Sequence, residues 1–167
     1  ELAQMLHDAT TLVESGPVVI RYPRGAARQV TESEVGSGLS ARKVVAGSGT
    51  CIIAIGKMLE VAERAAEELA VDGIDVTVWD ARCCAPLDTQ MIADAATHNR
   101  VITIEDGIRD GGIGMSIGDA VCTLRTTTQV TMLGLPTKFI PHDPKSTAIL
   151  ARFGLDVDHL VALARAD

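Results

Sequence analysis

The stretch TCIIAIGKMLEVAERAAEELAVDGIDVTVWDA (residues 50–81) decides the fold. Its first seven residues form a nearly continuous apolar run with glycine on both sides, as in a strand buried on both faces. Met58, Leu59, Ala62, Ala65, Ala66 and Leu69 then recur at spacings of three and four, which lays one apolar stripe along a helix. Gly73 stands where that helix must stop, and IDVTVWDA (residues 74–81) opens a second strand. Strand, helix, strand in this order predicts a parallel pair joined by a crossover helix.

The same beat continues downstream. PLDTQMIADAATHN (residues 86–99) reads as a helix capped by Asp88, and RVITIED (residues 100–106) as a third strand. GGIGMSIGDAVCTLR (residues 111–125) is a helix that begins at glycines, and QVTMLGLP (residues 129–136) a fourth strand. Two helices close the chain, STAILARFG (residues 146–154) capped by Ser146 and VDHLVALARAD (residues 157–167) capped by Asp156. Four strands separated by helices predict the α/β class, as a three-layer α/β/α sandwich around a mostly parallel sheet.

Upstream the text is different. Residues 26–43 mix glycine, serine and charge with few large apolar side chains, the composition of a linker or an exposed meander. Before them, Leu2, Met5, Leu6, Ala9 and Leu12 mark a helix, and VVIRY (residues 18–22) reads as a strand. The helical pattern is under way at residue 1, with neither a capping residue ahead of it nor an initiating methionine. We therefore expect a piece of a longer chain.

A net charge of −7, with no run of Lys or Arg, argues against nucleic-acid and membrane-surface partners. Every apolar run falls far short of the roughly 20 residues that cross a bilayer, and no signal segment opens the chain, so a cytoplasmic protein is expected. Cys51, Cys83, Cys84 and Cys122 have no CxxC spacing and no histidine at metal-ligand spacing, which speaks against zinc. They read as small buried apolar side chains in a reducing compartment.

In a sheet of this kind ligands bind where loops leave the C-terminal ends of the strands. EDGIRDGGIG (residues 105–114) could cradle a phosphate at a helix N-terminus, but Glu105, Asp106 and Asp110 crowd it with negative charge. A tight turn in which glycine allows close packing or positive φ fits better. Glu105 and Asp106 read as an acidic edge facing solvent or an interface rather than an acid/base pair, and His142, between two prolines, reads as loop structure without a nucleophile beside it. RYPRG (residues 21–25) is the most informative loop: a stiff Pro/Gly turn holds a guanidinium in a fixed pose suited to a phosphate or carboxylate. If Arg21 follows strand alternation into packing or a salt bridge, Arg24 is left to meet a ligand; a structural ion pair is the alternative.

Taken together and in order, MLHDATTLVESGPVVIRYPRGAA (residues 5–27), VTVWDARCCAPLD (76–88), ITIEDGIRDGGIGMSIGDAV (102–121) and GLPTKFIPHDPKSTAILARFGLD (134–156) resemble the C-terminal part of the 1-deoxy-D-xylulose-5-phosphate synthases, a transketolase-like, thiamine-diphosphate-dependent family. The resemblance implies a transketolase C-terminal-domain-like fold over residues 43–167, a linker at 31–42, and at 1–30 the last helix and strand of a preceding pyrimidine-binding domain. It implies a transferase that joins pyruvate, with loss of CO₂, to glyceraldehyde 3-phosphate, supplying isoprenoid, thiamine and pyridoxal synthesis. Arg24 then matches the arginine that contacts the sugar-phosphate substrate, with Arg21, Tyr22 and His142 as possible supporting residues. Thiamine diphosphate and Mg²⁺ belong to the N-terminal and middle domains, for which this chain has no matching motif, so the isolated chain is expected to bind neither and to be inactive. Cys83, Cys84 and Ala85, and the loop PHDPKS, depart from the family's usual residues.

The C-terminal domain of a transketolase or of a 2-oxo-acid dehydrogenase β-subunit, and a non-catalytic interaction module of the same fold, are the alternatives. Without their own sheet, residues 1–30 would expose Leu2, Leu6, Val18, Val19 and Ile20, so we expect a homodimer or larger assembly, or an unordered N-terminus.

Overall fold

A five-stranded sheet of order β1-β3-β2-β4-β5 organises the molecule, built from β1 (Arg42–Val45), β2 (Thr50–Ala54), β3 (Val76–Asp80), β4 (Arg100–Ile108) and β5 (Gln129–Leu135). The computed structural model describes residues 1–12, 16–22, 28–125 and 127–166. β2, β3, β4 and β5 run parallel, and β1 pairs antiparallel with β3 at the edge.

The strands that read as continuous apolar runs are the buried ones: every residue of β3 and every residue of β2 but Thr50 is buried. Alternation along them feeds two cores. Ile52, Val78, Ile102 and Ile104 pack against α2 (Met58–Val71) and α6 (Val157–Arg165), while Cys51, Ile53, Trp79 and Val101 pack against α3 (Thr89–Ala95) and α4 (Ile113–Leu124). The result is the expected three-layer sandwich. Asp88 caps α3 by accepting the Gln90 and Met91 N–H groups, and Asp156 caps α6 through His159 N–H. Ser146 does not cap α5 (Ser146–Ala151). The cap position is Lys145, whose N–H is taken by the Asp143 carboxylate at 2.9 Å, so the turn is organised one residue earlier.

Two further expectations are corrected upstream. β1 is a fifth strand that straddles the end of the stretch read as linker, because its pairing of Arg42 with Asp80 depends on a partner far along the chain that local composition does not reveal. Residues 18–22 form no strand: a strand needs a ladder partner, and none of the described strands pairs with them. Helix α1 (Leu2–Leu12) forms as its periodicity predicts but buries no residue. It is tied to the rest by polar contacts, including Gly38 N–H donating to the Asp8 carboxylate at 2.6 Å. No helix among the described residues is long and apolar enough to cross a membrane.

Candidate functional site

The sheet has one topological switch point. The chain leaves β2 into α2 on one face and leaves the adjacent β4 into α4 on the other, the arrangement in which sheets of this kind hold a ligand crevice beyond the C-terminal ends of the two strands. Residues 55–57 follow β2 there, and residues 105–112 end β4 and lead into α4.

Regular pairing between β4 and β5 breaks between Ile104 and Ile108, and this irregularity turns three consecutive residues out of the ladder. Glu105 points to the α4 side. It is not the solvated acidic edge expected: it is 7% exposed, and its Oε1 accepts Gly114 N–H at 2.9 Å. The first turn of α4 thus carries an internal carboxylate where an anionic ligand would otherwise sit. The glycines do what the turn reading requires. Gly111 has φ +81°, and a Cβ on Gly112 would lie 2.2 Å from the Ile108 carbonyl oxygen and 2.4 Å from Glu105 Oε1.

Asp106 points to the opposite face and gathers two cations. Lys57 Nζ, just beyond β2, lies 3.3 Å from its Oδ2, and Arg21 Nη2 lies 3.8 Å from its Oδ1. The Asp106 side chain is 17% exposed and that of Arg21 is 75% exposed, so the arginine reaches in from the surface to a sheltered carboxylate. Two cations more than balance Asp106 itself, while the Glu105 carboxylate in the same stretch offsets the excess and Arg109 pairs with Asp110 at 3.0 Å.

Loop 81–88 is held by Arg82, which has φ +50° and a side chain only 2% exposed. Its Nε donates to Glu1 at 2.6 Å and its Nη1 to the carbonyls of Ser37 at 3.2 Å and Ser40 at 2.5 Å. One guanidinium therefore joins α1, the connecting segment and the end of β3. Beside it, burial pushes the Asp80 carboxyl above its ordinary value, against the pull of Arg82 N–H and of Arg42.

The cysteines are not all core. Cys51 is buried and its thiol is pushed up to about 12 by burial, but Cys83 and Cys122 are half-buried and Cys84 is exposed: Cys83 and Cys84 lie on loop 81–88 and Cys122 on α4. Although Cys84 is exposed as a residue, the protein around its thiol, then Cys83 and Glu105, raise its pKa, so it is no activated thiolate.

Of the residues singled out in the sequence, Arg24 lies outside the described residues. Arg21 is in the crevice, and Tyr22 lines an open apolar groove of about 820 Å³ with Leu2, Leu6 and Ile20. His142 is exposed on loop 136–145, and no hydrogen bond or ion pair links it to Arg21 or Tyr22. Lys57 and Arg82 were not singled out as site residues. Both stand on loops that leave the C-terminal ends of strands, after Ile55 and in DARCCAPLD (residues 80–88), and that position is the signal by which they could be found.

The profile of the transketolase C-terminal domain matches residues 39–160. The chain is 38% identical over 175 aligned residues to the 1-deoxy-D-xylulose-5-phosphate synthase of Anaeromyxobacter sp. (strain K), covering 99% of this chain and 27% of that enzyme. It is 38% identical over 151 residues to the enzyme of the same name from Chlorobium luteolum, covering 85% of this chain and 23% of that one. The chain thus spans about a quarter of the length of these curated relatives. Among solved structures, a chain described as a split-gene transketolase, inactive β4 tetramer, superposes with a TM-score of 0.74 at 24% identity, over 85% of this chain and 46% of that one. A matching profile over most of the sequence, on a mostly parallel sheet whose strands and helices follow the expected order, leads to one conclusion: the chain belongs to the transketolase C-terminal domain family.

Proposed function

We propose that this chain is the C-terminal part of a 1-deoxy-D-xylulose-5-phosphate synthase, a cytoplasmic transferase that joins pyruvate, with loss of CO₂, to glyceraldehyde 3-phosphate. The observation that carries the reading is the similarity over 99% of the chain, which extends through the RYPRG stretch upstream of the matched domain. In this reading residues 1–30 complete the preceding pyrimidine-binding domain, 31–42 are the linker, and 43–167 form the C-terminal domain. Arg24 holds the phosphate of the acceptor, since a guanidinium offers two parallel donors to phosphate oxygens. Arg21, Tyr22 and His142 support it, and the intact enzyme is a homodimer. Four free cysteines agree with a reducing cytoplasm.

The residues of this chain do not fit thiamine diphosphate and Mg²⁺. The glycine turn before α4 has its helix N-terminus occupied by Glu105, with Asp106 and Asp110 nearby, and among the described residues no group of three or more His, Cys, Asp or Glu could hold a metal ion. In this reading the cofactor is held by the remaining domains of the intact enzyme, and the isolated chain is expected to have no activity of its own.

The test is product formation by the intact enzyme from pyruvate and glyceraldehyde 3-phosphate, native against Arg24→Ala. The reading expects a rise in acceptor KM of roughly 10- to 100-fold on loss of a charge-assisted phosphate contact, and no product from residues 1–167 alone. Absence of product from the native enzyme would overturn it. Light scattering that finds a monomeric intact enzyme would overturn the homodimer.

A further inference from the structure

The loop after β3 carries a strained residue whose side chain ends on a distant part of the chain. Arg82 has φ +50°, a region that residues with a Cβ rarely enter. Across it Cys83 N–H returns to the Ala81 carbonyl at 2.5 Å, which makes this a γ-turn of the strained kind, and Arg82 N–H donates to Asp80 Oδ1 at 3.2 Å. Such a conformation persists only where its surroundings over-determine it. Here the buried side chain spans to residues 36–40. Nη1 donates to the Ser37 and Ser40 carbonyls, and Nε to Glu1, whose Oε2 in turn accepts Gly36 N–H at 3.3 Å. Gly36 packs directly on the guanidinium: a Cβ there would stand 2.4 Å from Nε and 2.5 Å from Cζ.

Among the described residues, two other ion pairs join residues 1–40 to the rest of the chain, Arg21 with Asp106 and Arg28 with Glu63. Their arginine side chains are 75% and 38% exposed, against 2% for Arg82, and helix α1 adds no buried residue. Exposed pairs hold weakly, whereas a buried guanidinium deprived of its acceptors is left as an unpaired charge. We propose that Arg82 is a latch: set by the strained turn after β3, it closes on residues 36–40 and Glu1 and fastens the connecting segment and α1 to the domain. The latch stands on these contacts alone; that it fastens the junction between two domains of one enzyme rests on the synthase reading.

Strain and fastening reside in one residue, so they can be separated from the stability of the sheet. Glycine at position 82 accepts the turn without strain but has no side chain to close it. The test follows amide hydrogen exchange at residues 36–40 and in β2, β3 and β4 of the intact enzyme, in wild type, Arg82→Gly, Gly36→Ala and the two combined, with product formation by the native enzyme assayed alongside. Arg82→Gly is expected to speed exchange at residues 36–40 by about 10-fold or more, the worth of charge-assisted hydrogen bonds, and to leave the three strands within about twofold of wild type. An arginine that served only the stability of the domain would speed exchange in the strands as well, and that result overturns the proposal. Gly36→Ala pushes the guanidinium aside from the opposite end, with loop 81–88 unaltered, and should give the same local pattern. Because both variants act through one contact, the combined variant should exceed the larger single effect by no more than about twofold. Additive effects overturn the latch, as does wild-type exchange at residues 36–40 in either single variant. If the native enzyme makes no product, the synthase reading falls, and the exchange pattern still decides the latch: faster exchange confined to residues 36–40 supports it, unchanged exchange overturns it.

Discussion

Helices α1 and α2 are both amphipathic, both begin with their apolar stripe in the sequence, and both form, yet they end in opposite circumstances. α2 buries Met58, Ala62, Ala65, Ala66 and Leu69 against the sheet, whereas α1 buries nothing and leaves Leu6 54% exposed. Periodicity specifies that a helix has an apolar face; it does not supply the surface that covers it. α2 finds that surface among β2 and β3, its neighbours in sequence. α1 is held by polar ties instead, from Asp8 to Gly38 and from Glu1 to Arg82, and the curated relatives are almost four times as long as the segment they share with this chain.

The sharpest way to break this contrast is a matched pair of truncations read by chemical denaturation. Leu160, which packs from α6 on the same face of the sheet as α2, is 0% exposed, and Leu160→Ala is expected to cost about 2–5 kcal/mol through lost burial and a cavity. Leu6→Ala removes the same atoms from α1 and is expected to change stability by no more than about 0.5 kcal/mol. Equal losses at both sites would mean that α1 is covered in solution by something that contributes as much as the domain core, and the contrast would collapse.

A smaller effect separates the two acidic neighbours at the end of β4. Gly112→Ala brings a Cβ to within 2.2 Å of the Ile108 carbonyl oxygen, a backbone atom that cannot swing aside, and crowds Glu105. The expected cost is about 1–3 kcal/mol, by the same denaturation measurement. Because Asp106 faces the other side of the sheet, this variant should disturb the α4 side of the crevice and leave amide exchange at residues 16–22 unchanged. If exchange there rises as well, Glu105 and Asp106 are coupled through the irregular part of β4 and the two faces are not independent.

How far the sequence could be read follows the same division. The four parallel strands, α2 and the caps at Asp88 and Asp156 were legible because each rests on residues within one element or turn: an apolar run, a stripe, an oxygen beside free N–H groups. β1 was not, since RKVV becomes a strand only by pairing with β3, and VVIRY misled for the converse reason, having strand composition without a partner. In the site, the glycine turn was legible from its own residues. The fate of Glu105 was not, because its burial depends on how α4 docks, and the pairing of Asp106 with Lys57 and Arg21 joins three segments that only the sheet topology brings together.

Asp88 belongs to both sides of that division, and its pH dependence should separate them. Its Oδ1 caps α3 through neighbouring N–H groups at 2.7 and 3.1 Å, while its Oδ2 accepts Ala41 N–H at 2.7 Å and so fastens the end of the connecting segment to the domain. Burial works against the ionised form, but the three N–H donors outweigh it and hold the carboxyl below its ordinary 3.8. The folded state thus favours the charged form more than the unfolded chain does, so the resulting stability is complete above the ordinary value and is lost as pH falls through it to the lowered folded value. Asp88→Ala should cost about 1 kcal/mol near neutral pH, as loss of an N-cap does, and the gap between wild type and variant should start to narrow below about pH 4, where the unfolded wild-type chain's carboxyl begins to gain its proton ahead of the folded one. Exchange at the Ala41 and Met91 amides, followed in the same titration, tells whether cap and fastening are released together. Loss of protection at Ala41 alone would mean that the connecting segment detaches while the domain stays intact, and a stability gap that does not change with pH would mean that the carboxylate's charge contributes nothing to either.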